Sequence, residues 1–139
     1  MTKLAEDIMN RQMRYVESSA TLQEAHDLMS QYSIRHLLVQ EPKTSKLVGM
    51  ISDRDIKKFI SPFATATSAT DRDKATLQIE VAKVMVKNLI TAKPKDKVSS
   101  VVDIILQKKI SAVPVVDPQG KAVGIITTTD ALKLLMTLL

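Results

Sequence analysis

Two short stretches of this sequence set a hydroxyl and a carboxylate three positions apart, directly after an apolar run that carries a glycine. They are Gly49-Met50-Ile51-Ser52-Asp53-Arg54-Asp55 and Gly124-Ile125-Ile126-Thr127-Thr128-Thr129-Asp130. Ser/Thr-x-x-Asp ahead of an apolar segment closes the first turn of a helix, each side chain satisfying a backbone N–H that has no partner inside the helix. A helix start also offers spare N–H donors and the positive end of the helix dipole, which together attract anions. Arg35, His36 and Arg54 accompany the first stretch, whereas the second has the uncharged Ser111, Ala112 and Thr128 in the corresponding places. A guanidinium can hold a phosphate through two parallel hydrogen bonds, which an ammonium cannot. This is chemistry for holding an anion, not for breaking bonds. No nucleophile–base constellation is visible, and with no cysteine and only two separated histidines the chain lacks thiol chemistry, disulfides, iron–sulfur ligation and a good transition-metal set.

The elements that must position these groups come in duplicate. An offset of 76 brings Met9 onto Met85, Asp27 onto Asp103, Gln31 onto Gln107, Ile34 onto Ile110 and Val39 onto Val115. After one residue is dropped near Glu41–Ser45, an offset of 75 brings Lys46, Val48, Gly49, Ile51, Asp55 and Lys58 onto Lys121, Val123, Gly124, Ile126, Asp130 and Lys133. Two units of about 60 residues follow, each too small to bury much core alone. In the first, Thr21 and Glu24 form a capping pattern ahead of an apolar stripe of Leu22, Ala25, Met29 and Tyr32, which predicts a helix with His26 at the stripe's boundary. In the second, Asp96 is the expected cap and Val98, Val101, Val102 and Ile105 the stripe. Apolar runs at 37–39 and 47–51, and again at 113–116 and 122–126, flank turns at 41–43 and 117–120 and predict hairpins. The final helices begin at the Ser52 and Thr127 motifs, and short leading strands are expected near Tyr15-Val16 and Ile90-Thr91. Between the repeats, 61–70 is small and polar enough for a mobile connector, and 71–85 predicts a helix. Met9, Met13, Met29, Met50, Met85 and Met136 are expected as core filler. Gly49 and Gly124 mark places where the backbone must approach a ligand or a neighbouring strand closely.

Composition narrows the partners. The 139 residues carry a net charge of +5, which raises the question of nucleic acid. Much of the excess lies in the run Lys83, Lys87, Lys93, Lys95 and Lys97, read as a solvated face, and Tyr15, Tyr32, Phe59 and Phe63 are the only aromatic residues. Single-strand binders stack bases on aromatic platforms, so nucleic acid is not the expected partner. No apolar run approaches the length of a membrane span, and the chain is expected to be cytoplasmic. The apolar C-terminal stretch 131–139 is larger than one small unit should expose and suits a dimer seam, which leaves open the alternative of a ligand-free dimerisation or interaction module.

The duplicated pattern Ile34-Arg35-His36-Leu37-Leu38-Val39 with Gly49 to Asp55, and Ile110-Ser111-Ala112-Val113-Pro114-Val115-Val116-Asp117 with Gly124 to Asp130, resembles a tandem pair of cystathionine-β-synthase (CBS) domains, or Bateman module. The resemblance implies an α/β (α+β) fold of two β-α-β-β-α units packed sheet to sheet with pseudo-twofold symmetry. The units would span 3–60 and 80–139 with a linker at 61–79. It further implies a non-enzymatic regulatory module that binds AMP, ADP, ATP or S-adenosylmethionine in clefts between the units and senses it for a partner protein. By the same resemblance Thr127, Thr129 and Asp130, with Ser52 and Asp55, would hold phosphate and ribose, assisted by Arg35, Arg54 and His36. Val16, Ile34, Leu37, Ile90, Ile110, Ser111, Ala112, Val113 and Pro114 would surround adenine. No metal or resident cofactor is implied, and copies would form a homodimeric disc of four CBS units. Leu38, where the second repeat has Pro114, and Gln40-Glu41 in place of Val116-Asp117 are the first repeat's departures from the family pattern.

Overall fold

The structure is a computed structural model that describes residues 2–139. In chain order its elements are α1 (Ala5–Ile8), β1 (Tyr15–Glu17), α2 (Leu22–Tyr32), β2 (His36–Gln40), β3 (Leu47–Ser52), α3 (Asp53–Phe59) and α4 (Asp71–Ala75). Two 3-10 turns (Thr76–Gln78 and Val81–Lys83) follow, then α5 (Val98–Lys108), β4 (Ala112–Val116), β5 (Ala122–Thr127) and α6 (Thr128–Leu138). This is a mixed α/β architecture with two small sheets. The chain divides into two compact units that do not follow sequence order: one is Arg14–Asn88, and the other joins the N-terminal segment through Met13 to Leu89–Leu139. They are called here the first-repeat and second-repeat units.

In the first-repeat unit the sheet order is β1-β2-β3, with β1 parallel to β2 and β2 antiparallel to β3. Leu37, Val39 and Ile51 point from the sheet into a core completed by Val16, Leu22, Ala25, Met29, Ile56 and Val81. Each such side chain contributes roughly 1.5–3 kcal/mol when fully buried. The Thr21 hydroxyl caps α2 by accepting the Glu24 N–H at 3.2 Å, as the capping pattern predicts. Tyr32, expected on the apolar stripe, is partly exposed at the helix end under the Arg14 guanidinium, 3.9 Å from its ring centre. His26 is exposed beside Asp27.

The second-repeat unit repeats this design with β4 antiparallel to β5 and a core of Val101, Ile105, Val113, Val115 and Ile126, closed by Ala5, Met9 and Ala92. Even irregularities recur. Both hairpins shift register at the same place, between Val39 and Gln40 and between Val115 and Val116. Both first helices end on a left-handed residue, Ser33 (φ 52°) and Lys109 (φ 54°).

Several expectations are corrected. The leading strand of the second repeat is reduced to one parallel bridge, Ala92 with Val115. The reason is chemical: in the first repeat the Leu38 N–H donates to the Arg14 carbonyl at 3.1 Å, but the matching residue of the second is Pro114, which has no N–H to give Ile90. Asp96 does not cap α5. Its carboxylate turns back to accept the Lys93 N–H at 2.8 Å, and α5 starts from Lys97 without a side-chain cap, its Val98 N–H donating to the Lys3 carbonyl at 3.0 Å. The helix expected over 71–85 breaks into α4 and the two 3-10 turns, because the Ile79 carbonyl is taken by the Leu22 N–H and the Val81 N–H by the Ala20 carbonyl. Met136 is 72% exposed, whereas Met9 and Met29 are buried. The 61–70 segment is tied down at its start, with the Ser61 N–H on Thr76 Oγ1 (2.9 Å) and the Ser61 hydroxyl on Asp73 (2.7 Å).

Gly49 and Gly124 prove to be close approaches to chain, not open ground. A Cβ on Gly49 would lie 2.6 Å from Met85 Sδ and 2.9 Å from the Val86 carbonyl oxygen, and one on Gly124 would lie 2.6 Å from Met9 Cγ. The segments that press on them are themselves repeated: Val86 bridges to Met50, and Asn10 to Ile125.

Candidate functional site

Each unit ends its hairpin on a capping residue that opens the last helix. In the first-repeat unit the Ser52 hydroxyl accepts the Asp55 N–H at 3.1 Å, and Asp55 Oδ2 accepts the Ser52 N–H at 3.0 Å. Two backbone links bring the β2 strand to this turn: His36 stands opposite Ser52 in the ladder, and the Asp53 N–H donates to the Arg35 carbonyl at 2.9 Å. Arg35 and His36 therefore lie beside Ser52 and Asp55, although the sequence separates them by a hairpin. Arg54, at the second helical position, is exposed, as is Arg35. Asp53 is occupied by Lys57 at 3.3 Å. His36 is half-buried, and burial pushes its imidazole below the usual histidine range. The Asp55 carboxylate works against that shift and the Arg35 guanidinium with it.

In the second-repeat unit Thr127 occupies the same position. Its hydroxyl accepts the Asp130 N–H at 3.3 Å and donates to Asp130 Oδ2 at 3.0 Å, while that oxygen also accepts the Thr127 N–H at 2.8 Å. Ala112 pairs with Thr127 in the ladder, and the Thr128 N–H donates to the Ser111 carbonyl at 3.0 Å. Helix register corrects the counterpart of Arg54 from Thr128 to Thr129, which is exposed, because both stand second in helices capped by Ser52 and Thr127. At each turn Oδ2 does the capping, which leaves Oδ1 outside the box.

The apolar candidates separate by burial. Leu37 and Val113 are fully buried, and Val16, Ala112 and Pro114 nearly so. Ile34 and Ile110 sit half-buried at the edges of their cores, Ile90 is half-buried and Ser111 exposed. What sequence spacing does not reveal is the electrostatic coupling of His36 to Asp55, nor the engagement of Arg14 by Tyr32. Among the described residues no group of His, Asp and Glu is arranged to hold a metal ion, and no helix is long and apolar enough to cross a membrane.

A duplicated hairpin that delivers a capped helix start beside a strand end, twice in one chain, defines a tandem α/β repeat module. The chain belongs to the CBS-domain family, whose model matches residues 5–62 and 81–137. Among solved structures, the CBS domain pair of protein MJ0100, in complex with 5′-methylthioadenosine and S-adenosyl-L-methionine, is similar over the whole of both chains at 28% identity and a TM-score of 0.82. A CBS domain-containing protein of Dictyostelium discoideum is 26% identical over 140 residues, covering 100% of this chain and 95% of the relative. A homoserine O-acetyltransferase of Methanohalobium evestigatum is 28% identical over 129 residues, which is 93% of this chain and 23% of the enzyme. The chain thus spans about a quarter of the length of such enzyme relatives.

Proposed function

We propose that this chain is a non-enzymatic cytoplasmic sensor that binds an adenosine-containing ligand at the start of the final helix of each repeat, the repeats lying at 3–60 and 80–139 around a linker at 61–79. The observation that carries the reading is the pair of matching boxes at Ser52/Asp55 and Thr127/Asp130, each with one carboxylate oxygen outside the cap. A ribose presents two adjacent hydroxyls that such an oxygen can accept, and the N–H groups of the turn can receive phosphate. Thr129, half-buried Ile34, Ile90 and Ile110, and Ser111 are the accessible neighbours for the ligand, while Leu37, Val113 and Pro114 support them from behind. The ligand of the MJ0100 pair is adenosine-based, which supports the class. AMP, ADP, ATP and S-adenosylmethionine all belong to it.

The two sites divide by charge. Arg35 and Arg54 favour a phosphate-bearing ligand at the first repeat, and Ser111 and Thr129 favour a ligand without phosphate at the second. A ligand that binds one arrangement of the module better than another shifts its population, and a partner protein would read that shift. We also propose that copies pair, on the strength of the exposed Leu132, Leu135 and Leu138. Calorimetry with AMP, ADP, ATP and S-adenosylmethionine tests the ligand reading. Heat from at least one, diminished in Asp130→Asn or Asp55→Asn, is expected; no heat from any of the four overturns it.

A further inference from the structure

His36 is a chemical difference between two otherwise matched turns. It stands on β2 opposite Ser52, whereas Ala112 stands at the same rung of β4 opposite Thr127. Leu37 and Val39 point into the core, so by the alternation of a strand His36 lies on the other face of the sheet, at the end of β2 that meets the Ser52–Asp55 box. The charged and titratable groups around it come from three elements. Arg35 precedes it in the chain, its carbonyl bonded to the Asp53 N–H. The turn and α3 bring Asp53, which Lys57 occupies at 3.3 Å, the exposed Arg54, and Asp55, one oxygen of which accepts the Ser52 N–H. From β1 come Arg14, whose guanidinium lies on the Tyr32 ring, and Tyr15, which the register puts on the same face as His36 and whose phenol is raised above its ordinary range by burial. Burial acts most strongly on the imidazole and holds it below the usual histidine range; the Asp55 carboxylate opposes that effect and the Arg35 guanidinium adds to it.

We propose that His36 makes ligand binding at the first repeat proton-linked, so that a phosphate-bearing ligand and a proton are taken up together, whereas the second repeat binds its ligand without this linkage. The inference rests on the ligand reading above and adds its regulation. A half-buried ring bears a desolvation cost for its charge, and a neighbouring guanidinium adds repulsion. A phosphate seated at the turn reverses that balance. It neutralises Arg35 and Arg54, and it offers an oxygen to an imidazolium N–H, a charge-assisted hydrogen bond that a neutral ring forms more weakly. Ligand therefore favours the protonated ring, and by reciprocity a proton on His36 tightens the ligand by the same factor. The arginines stay charged throughout, so they hold the phosphate at every pH and His36 supplies the part of the grip that varies. The second-repeat turn offers Ser111, Ala112, Thr128 and Thr129 in these places, none of which titrates in this range.

The chain has two histidines, His26 and His36, so proton NMR follows each imidazole through a pH titration, with His36→Gln assigning the pair. His26 lies exposed on α2 and serves as the internal reference. Saturating AMP is expected to raise the His36 midpoint by about one pH unit or more, which equals about a tenfold gain in affinity on protonation, and to leave the His26 curve in place. Methylthioadenosine, which carries no phosphate, should leave both in place. Calorimetry supplies a second readout. Between about pH 7.5 and 5.5, AMP affinity should rise about tenfold more in the unaltered chain than in His36→Gln, a comparison that cancels the titration of the ligand's own phosphate near pH 6. His36→Ala, a side chain that the Ala112 rung shows the ladder to accept, should behave as His36→Gln does. AMP that binds without moving the His36 midpoint, or with the same pH dependence in all three chains, overturns the inference and leaves the ligand reading standing. No binding of AMP, ADP or ATP at either pH overturns the inference as well, and with S-adenosylmethionine also silent the ligand reading falls with it.

Discussion

The first and second repeats solve the same folding problem with the same devices and then diverge in what they offer to solvent. Both place a left-handed residue after the first helix, shift the hairpin register at the same rung, press a methionine against a hairpin glycine and close the last helix with a hydroxyl–carboxylate box. These are constraints of backbone geometry, and they persist. Charge and apolar exposure have separated: the first repeat holds Arg35, His36 and Arg54 at its turn, and the second holds its leucines on its outer helices. The difference teaches that the shared devices build a frame, and that the repeats diverge in the few side chains the frame leaves unconstrained.

That comparison can be broken most forcefully at the arginines. Charge-assisted hydrogen bonds are worth about 1.5–3 kcal/mol each, so Arg35→Ala with Arg54→Ala should weaken a phosphate-bearing nucleotide by roughly a hundredfold or more at the first repeat. Methylthioadenosine affinity at the second should be unchanged by calorimetry; an equal loss at both would remove the division by charge. The glycines come next. Gly49→Ala and Gly124→Ala should each cost about 1–3 kcal/mol in urea unfolding, as overpacking does. Gly124→Ala should be relieved in part by Met9→Ala, which removes Cγ and Sδ of Met9 and leaves its Cβ 2.9 Å away. Gly49→Ala should resist the matching Met85→Ala change, because the Val86 carbonyl also stands in the way. Smaller still, Lys109→Gly and Ser33→Gly should each raise stability by up to about 1 kcal/mol, as a left-handed residue is relieved of its Cβ.

The least effect is expected from pH. His36 titrates below an unfolded histidine, so between the folded and unfolded values the unfolded chain binds more protons. Its contribution to stability is therefore fully present above the unfolded value of about 6.5 and declines as pH falls below it. His36→Gln should flatten that acid limb of the melting temperature, and no matching dependence is expected at Ala112 of the second repeat.

Much of this was legible in the sequence because the repeat supplied a second reading of every local signal. The hairpins, the capped final helices and the apolar stripe of Leu22, Ala25 and Met29 follow from periodicity and turn chemistry alone. What escaped were outcomes decided by distant backbone. The Asp96 carboxylate had a nearer N–H in Lys93, and the 71–85 segment lost its helix where Ile79 and Val81 bond to residues at the start of α2. The grouping of the N-terminal segment with the second repeat depends on Met9 and Ala5 filling that repeat's core, which spacing does not announce. At the site, Ser52/Asp55 and Thr127/Asp130 were visible as motifs, whereas the closeness of His36 to Asp55 needed the hairpin register.

The most direct test of the whole account is a two-ligand titration in one calorimeter cell, first AMP to saturation and then methylthioadenosine. Two independent binding events, the first abolished selectively by Arg35→Ala with Arg54→Ala, are the outcome the account predicts. A single shared site at which either ligand displaces the other, or no binding of either, would contradict it.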